Sequence, residues 1–249
     1  MKRIMSAHQP NFMPYLGFFD KMEKSDIFVI RDEVQFVERD WHHRNSIRIG
    51  GEDGNGNPQS KWLTVPIKKE SENIKDIVIK NDVKYKNVPW NVYMIRQIKS
   101  NYEKTPYFKQ YFPRLEEILL SKKQKLIDLN MEIINFLMEA FDIRTDVLYA
   151  SSLNGNKYNA TVDLINLCKA TGSNIYLSGA AKRRLEEELF QKEGIEVLVQ
   201  DFKHPVYQQR YPGFLPNMSA IDALFNFGDF PSDARQNPLP EQYEAAIFS

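Results

Sequence analysis

The sequence has little of three things: cysteine, histidine and net charge. Its 249 residues include one cysteine and four histidines, and 33 basic side chains balance 33 acidic ones. A single cysteine excludes a disulfide within the chain and a cysteine-rich metal site. The absence of net charge argues against a nucleic-acid-binding protein with a strongly basic face, although it permits a local basic pocket for phosphate.

The sequence also lacks a long apolar run, and we expect no signal peptide. No stretch of roughly 18 apolar residues occurs, as a membrane-spanning helix would need. The few residues before Pro10 are too short for a signal peptide. We therefore expect a cytoplasmic chain without a membrane span. The lone Cys168 falls in an apolar, helix-like run, which favours a buried packing residue over a nucleophile.

Strand and helix patterns alternate at both ends of the chain. Short apolar runs predict five strands, at residues 3–7, 26–30, 147–150, 175–177 and 196–200. Helical spacing of apolar residues predicts seven helices, at residues 15–24, 90–102, 108–120, 123–141, 160–171, 182–192 and 219–227. The first strand, loop, helix and second strand predict a parallel pair joined by a right-handed crossover.

Two segments interrupt this alternation. Residues 38–82 read as a mainly antiparallel insertion, with strands at 45–49, 61–67 and 74–79 and a turn-rich loop at 50–58. Residues 88–142 read as a helical segment. The sequence therefore predicts a single α/β domain over residues 1–249. Its expected fold is Rossmann-like, with a mainly parallel sheet, a β-hairpin insertion and a helical segment.

The loop after the first strand is the most distinctive segment. It is polar and aromatic, and Pro10 and Pro14 restrict its backbone. Open α/β sheets bind ligands where such loops leave the strand ends. His8 stands at that end, either as a proton-transfer or clamping group or as a structural residue that bonds loop backbone. Gln9, Asn11 and Tyr15 follow as candidate substrate contacts.

Residues 10–18 resemble the strand-loop-helix signature of the HIGH-type nucleotidylyltransferases. That resemblance implies a helix start that approaches phosphate, with Gly17 permitting close backbone contact. Tyr15 and Phe18 stand where that signature has its two histidines, and neither can donate like an imidazolium to leaving pyrophosphate. The resemblance therefore implies the fold more than the chemistry.

Further candidates follow the second strand. Asp32 and Gln35 could hold a sugar hydroxyl, or they could be a cap and a turn former. Arg44 and Asn45 close a cluster of basic and aromatic side chains at residues 39–45, which suits a phosphate with a flat ring. Neighbouring histidines in an extended segment point apart, and no zinc-type spacing occurs, so we expect no metal site.

The last candidates lie in the C-terminal half. Ser178, Gly179 and Lys182 form a strand end, turn and helix start, which is either an anion cradle or an ordinary capped helix. Ser219 is a candidate helix cap, and Asp222 is either the acidic half of a capping-box-like pair or a functional acid. Ser152 and Gln208 complete the set of candidate substrate contacts.

Seven short motifs, taken in order, resemble the WbqC-like protein family. They are residues 9–20, 32–36, 44–45, 62–66, 151–152, 176–179 and 219–228. Arg184 departs from the pattern, since an aromatic residue is expected there. Members of that family occur in gene clusters for O-antigen and other surface glycans. The resemblance therefore implies a pathway more firmly than a reaction.

These observations favour a transferase that modifies an amino sugar or nucleotide sugar in surface-glycan synthesis, with amide formation as the first reaction to test. His8 would be the base, Asp32 or Asp222 would orient it, and Arg44 with Lys182 would hold phosphate. An adenylating ligase is a variant. The rival hypotheses are a non-catalytic sugar- or nucleotide-binding protein of an assembly complex and a hydrolase of a glycan precursor. The sequence indicates a small-molecule substrate, no nucleic acid, and no identifiable cofactor.

Overall fold

The computed structural model describes residues 2–68, 71–153, 159–179 and 185–231. Five of its strands form a central parallel sheet, and three antiparallel pairs lie outside it. The strands are β1 (Ile4–His8), β2 (Ile27–Ile30), β3 (Arg44–Glu52), β4 (Pro58–Thr64), β5 (Ile67–Lys68), β6 (Val78–Ile79), β7 (Lys84–Tyr85), β8 (Val88–Pro89), β9 (Asp146–Tyr149), β10 (Ile175–Ser178) and β11 (Glu196–Val199).

Seven α-helices surround the sheet within the described ranges. They are α1 (Leu16–Glu23), α2 (Trp90–Tyr102), α3 (Phe108–Leu120), α4 (Leu126–Ala140), α5 (Ala160–Ala170), α6 (Glu187–Lys192) and α7 (Ala220–Phe227). No helix in this part of the chain is long and apolar enough to cross a membrane.

The central sheet is covered on both faces, as parallel sheets are. Strand β2 illustrates this coverage, because all four of its side chains are buried. Phe28 and Ile30 belong to the larger apolar cluster, whereas Ile27 and Val29 belong to a second cluster with α5 and α6. Successive side chains on a strand point to opposite faces, so β2 contributes equally to two cores.

All four pairings in the sheet are parallel, and the strand order is β11-β10-β1-β2-β9. Residue Ile30 is aligned with both His8 and Tyr149, so the carboxyl ends of three strands lie at one edge. The chain leaves β1 toward β2 and later returns to β10 on its other side. Ligands bind open α/β sheets where the strand order reverses in this way.

The insertion is largely as predicted, with β3 and β4 pairing antiparallel. The turn between them is shorter than the predicted 50–58 loop, because β3 runs to Glu52 and β4 begins at Pro58. The Asp53 carboxylate closes this turn by accepting bonds from the backbone of Asn55 and Asn57, at 2.8 and 2.9 Å.

The predicted strand at 74–79 is correct only at its end. Residues Ile74–Asp76 form a single 3-10 turn, and only the two residues of β6 are paired as a strand. Both Ile74 and Ile77 are fully buried. Their spacing of three residues matches the period of a 3-10 turn. The same apolar-rich sequence also fits a short buried strand, and for this reason the sequence predicts a strand here.

The helices match the predicted ranges most closely in α2 and α3, whose bounds are those expected. Helix α4 begins later, since Lys125 is extended and the Leu126 backbone donates to Ile77. Helix α6 also begins later than the predicted residue 182; residues 180–184 lie outside the described residues, and Glu186 is not helical.

Cys168 is a packing residue, as predicted. It is fully buried within the second apolar cluster. Burial raises the pKa of its thiol to about 12. A thiol that stays protonated at neutral pH is a poor nucleophile, because the thiolate is the reactive form.

Candidate functional site

A cavity of about 500 Å³ opens at the carboxyl end of β1. Five of its lining residues were predicted as site residues: His8, Gln9, Asn11, Tyr15 and Asn45. Trp41 and His42 come from the 39–45 cluster that was predicted to suit a phosphate with a flat ring, whereas Pro14, Asp40 and Asn217 were not predicted. Its position is the one at which the reversal of strand order places a ligand.

Two buried amides hold the walls of this cavity. The Asn45 side chain donates to the backbone carbonyl of Met13 at 2.6 Å, and its own carbonyl accepts from the Ser46 backbone. The Asn130 side chain, from α4, donates to the carbonyls of Pro10 and His42, at 2.7 and 2.8 Å. These bonds join the loop after β1 to the segment before β3. Asn45 therefore positions the cavity rather than offering a free donor to it.

His8 is held as a neutral imidazole, and one of its ring nitrogens has no hydrogen-bond partner among the described residues. Its Nδ1 lies 3.1 Å from the carbonyl oxygen of Gln9, which can only accept, so this contact requires a proton on Nδ1. Nε2 is then an acceptor. Burial, aided by the positive charge of Lys21, lowers the pKa of His8 to about 4. At neutral pH the ring can therefore take up a proton but has none to give as an acid.

Lys21 is a buried cation beneath this edge of the sheet. It lies on α1, and its Nζ donates to the carbonyl of Ala7 at 2.7 Å. Burial lowers its pKa to about 8. Sequence analysis missed this residue. The one signal for it was its place three residues after Phe18, on the buried side of the predicted helix.

Asp40 and His42 add charge and a donor to the cavity. His42 is buried, and its Nδ1 accepts from the Val37 backbone at 3.2 Å, which leaves the proton of the neutral ring on Nε2. Burial lowers the pKa of His42, and the Asp40 carboxylate opposes that shift. The same carboxylate also raises the pKa of His8 slightly against its burial. Asp40 was not predicted, although it stands within the 39–45 cluster.

The ring of Tyr15 covers the backbone that was expected to approach a nucleotide. A Cβ atom at Gly17 would lie 2.5 Å from the Tyr15 Cε2 atom. A side chain at this position would therefore force the Tyr15 ring to move. Tyr15 also meets Phe202 edge-on, and burial raises the pKa of its hydroxyl.

Asp32 and Gln35 do not line the cavity. The buried Asp32 carboxylate accepts from the Ser151 backbone at 2.9 Å and from its hydroxyl at 2.5 Å, which ties the end of β2 to the residues after β9. Gln35 is exposed and bridges to Asn73. Of the candidates His8, Asp32, Ser152 and Ser178, which all lie at or just after the carboxyl ends of core strands, only His8 lines this cavity.

The remaining predicted residues lie elsewhere. The exposed Ser152 bonds to the Tyr149 carbonyl, and the buried Ser178 to the Gly179 carbonyl. Gln208 is exposed and lines two smaller cavities. The Arg44 guanidinium lies 4.4 Å from the centre of the Trp62 ring. Lys182 is outside the described residues.

Asp222 is the acceptor at the centre of a buried network. Its carboxylate accepts from Tyr102 Oη at 2.6 Å, and from Tyr207 Oη and Gln209 Nε2 at 2.8 Å each. Burial raises the pKa of Asp222, and these donors oppose that shift. The predicted capping-box-like pair is wrong, because the carboxylate bonds elsewhere and the Ser219 hydroxyl makes no cap bond. The network joins α7, α2 and the segment before α7.

Replacing Asp222 by alanine should destabilise the fold strongly. The change leaves three buried donors without their acceptor, for which we expect a loss of about 3–5 kcal/mol. Urea denaturation of Asp222→Ala measures this, with the exposed acid Glu103 replaced by alanine as the control. A loss no greater than that of Glu103→Ala would mean that the network contributes nothing to stability.

The four histidines should make stability depend on pH. Burial is the largest cause that lowers the pKa of each one. Between about 6.5 and about 4, unfolding therefore takes up a proton at His8. The free energy of unfolding should fall as the pH falls through this interval. Asp20 and Asp222, whose pKa values burial raises, act in the opposite direction.

Comparing variants separates the contribution of His8 to this pH dependence of stability from the contributions of Asp20 and Asp222. Urea denaturation at pH 7 and pH 5 should show a smaller loss of stability for His8→Gln than for the wild type. Gln9→Ala, in the same cavity, should lose as much as the wild type. Equal losses for His8→Gln and the wild type would contradict the lowered pKa.

Comparisons with known proteins agree with the motif pattern. The model of the WbqC-like protein family matches residues 9–232. The chain is also 27% identical over 235 residues to the uncharacterized protein Rv1507c of Mycobacterium tuberculosis (strain ATCC 25618 / H37Rv), covering 92% of this chain and 95% of that protein. No solved structure matches the chain.

Proposed function

Because the chain belongs to the WbqC-like protein family, we propose that it is a transferase that modifies an amino sugar or a nucleotide sugar in surface-polysaccharide biosynthesis. The reaction we favour is amide formation on a sugar amine. The carrying observation is His8, a neutral imidazole with Nε2 free, in a cavity at the end of the central strand. The cavity volume of about 500 Å³ lies within the range of small-molecule sites.

His8 is unprotonated at neutral pH, which is the state that a general base needs. As the amine nitrogen attacks an activated acyl carbon, a C–N bond forms and the bond from that carbon to its leaving group breaks. His8 Nε2 takes the proton that the amine loses, a role worth roughly 10²–10⁴-fold in rate. Asp40 would stabilise the imidazolium that results, and the His42 ring would donate to substrate oxygen. Asp40 and His42 thus take the place first assigned to Asp32 and Asp222.

The sheet supports a Rossmann-like fold. Numbered among themselves along the chain, the five core strands follow the order 5-4-1-2-3 across the sheet. That is the order of the first five strands in doubly wound nucleotide-binding sheets. The Tyr15 ring lies against Gly17, where a phosphate would approach the start of the helix. We therefore favour direct transfer that uses a nucleotide sugar over the adenylating ligase variant.

A thermal-shift panel with ATP, CTP, UDP-sugars and dTDP-sugars tests ligand class. A ligand of the native state raises the melting temperature. We expect a nucleotide sugar to raise it and ATP alone not to. A shift with ATP, followed by pyrophosphate release once an amino sugar and an acid are added, would favour the ligase. No shift with any member would favour a hydrolase or a binding protein of another ligand.

His8→Ala tests the catalytic role. With the sugar that binds and an activated acyl donor, turnover should fall roughly 10²–10⁴-fold, while the ligand-induced thermal shift remains. His204→Ala is the matched control, since His204 is also buried with a lowered pKa but does not line the cavity. Full activity in His8→Ala would contradict the proposal. Binding without turnover by the wild type would favour a non-catalytic binding protein.

A further inference from the structure

A second cleft, of about 430 Å³, lies beside the insertion. Strand β4 forms one wall with Lys61 and Trp62, and helix α2 forms another with Tyr93. The tight hairpin of β7 and β8 supplies a third wall with Lys84, Tyr85 and Lys86. The proposed reaction at His8 makes no use of these residues.

The cleft is positively charged although the chain is neutral. Three of its lining side chains are lysines, and none of those that line it is acidic. Lys61 donates to Gln97 Oε1 at 2.5 Å. Within the described ranges, neither Lys84 nor Lys86 forms an ion pair with a described acid. Two cations without acidic partners, facing one concave surface, attract an anion.

The same cleft presents aromatic faces to solvent. Trp62 is 46% exposed and Tyr85 is 39% exposed. Tyr85 and Tyr93 lie 5.5 Å apart and are tilted relative to each other. Aromatic rings with exposed faces beside cations suit a ligand that combines a flat ring with negative charge, because the rings stack while the lysines bind oxygens.

The backbone holds one of these lysines in an unfavourable conformation. Lys86 and Asn87 have φ values of +51° and +62°, in the left-handed region. Two such residues make the turn of a tight β-hairpin, where glycine is the usual choice. A non-glycine residue is energetically unfavourable in this region. The turn keeps a lysine at this cost, and it directs Lys86 to the lining of the cleft.

The second cleft adjoins the cavity at His8. Trp41 lines the first and Trp62 lines the second, and their ring centres are 5.2 Å apart. Arg44 lies over the Trp62 ring, and its buried Nε has no hydrogen-bond partner among the described residues. Arg44 lines neither space itself, but its charge lies against a ring that lines the second cleft.

We propose that the second cleft binds the nucleoside diphosphate portion of a nucleotide sugar whose sugar occupies the cavity at His8. The base stacks on the tyrosines, and the diphosphate lies among Arg44, Lys84 and Lys86. This assignment rests on the proposed function, since it makes one substrate span both spaces. It specifies a nucleoside diphosphate carrier, rather than a free amino sugar, as the substrate class.

Sugar-free probes test the cleft independently of the reaction. Titration calorimetry of the full chain with UDP, dTDP and inorganic pyrophosphate measures binding. The double variant Lys84→Gln/Lys86→Gln should weaken nucleoside diphosphate binding roughly tenfold or more, as expected for two lost charged contacts. Lys99→Gln/Lys109→Gln, which removes two exposed lysines from α2 and α3, is the matched control and should bind like the wild type.

Tyr85→Ala separates the two halves of the ligand. It should weaken the binding of UDP or dTDP and leave the binding of pyrophosphate unchanged. Equal binding of the nucleoside diphosphates by the wild type and the Lys84/Lys86 double variant would overturn the proposal. So would the absence of any binding to the wild type, or binding only of an anionic oligosaccharide that carries carboxylates.

The outcomes keep this proposal apart from the proposed function. Turnover of an amino sugar that depends on His8, without any binding of UDP or dTDP, would overturn the cleft assignment and leave the transferase standing. Binding of UDP or dTDP that requires Lys84, Lys86 and Tyr85, with no turnover of any sugar, would support the cleft and contradict the transferase.

Discussion

The side-chain amide of Asn130 joins the two loops between which the cavity forms. It is fully buried on α4 and donates to carbonyls in the loop after β1 and in the segment before β3. Its own oxygen is buried without a hydrogen-bond partner in the described part of the chain. A buried acceptor without a partner is costly, so its retention requires a reason. The reason we infer is positional, because without these bonds His8 and His42 would not face the same space.

The electrostatics of the cavity follow from that arrangement. The loop places His8 above a strand end where the buried Lys21 lies close, and burial together with that cation keeps the imidazole neutral. Asp40 supplies the opposite charge without neutralising the effect of burial. A base beside a carboxylate can accept a proton and have the resulting charge stabilised, which is the logic of paired catalytic groups. In the proposed assignment, the basic and aromatic cleft beside the cavity would bind the negatively charged diphosphate of a nucleotide sugar.

The sequence predicted what depends on local pattern. The five core strands and the bounds of α2 and α3 follow from apolar periodicity, and five cavity residues follow from their place at the strand end and in the 39–45 cluster. Residues whose roles depend on distant contacts were missed or placed wrongly. Asp222 resembles a cap locally, but its partner Tyr102 lies 120 positions away in the chain. Asn130 and Lys21 lie on the buried sides of amphipathic helices, and that position indicates burial, but nothing local to the sequence indicates which distant carbonyls they bond.

The account depends most on the state of His8, and ¹⁵N NMR of the histidine rings measures that state directly. With His8 assigned by its loss from the spectrum of His8→Gln, the account predicts a neutral ring with the proton on Nδ1 at pH 6. It also predicts a titration midpoint at a pKa of about 4. A ring that carries its proton on Nε2 when neutral, or one that titrates near 6.5, the unperturbed value, would contradict the buried, Nδ1-protonated state assigned to His8.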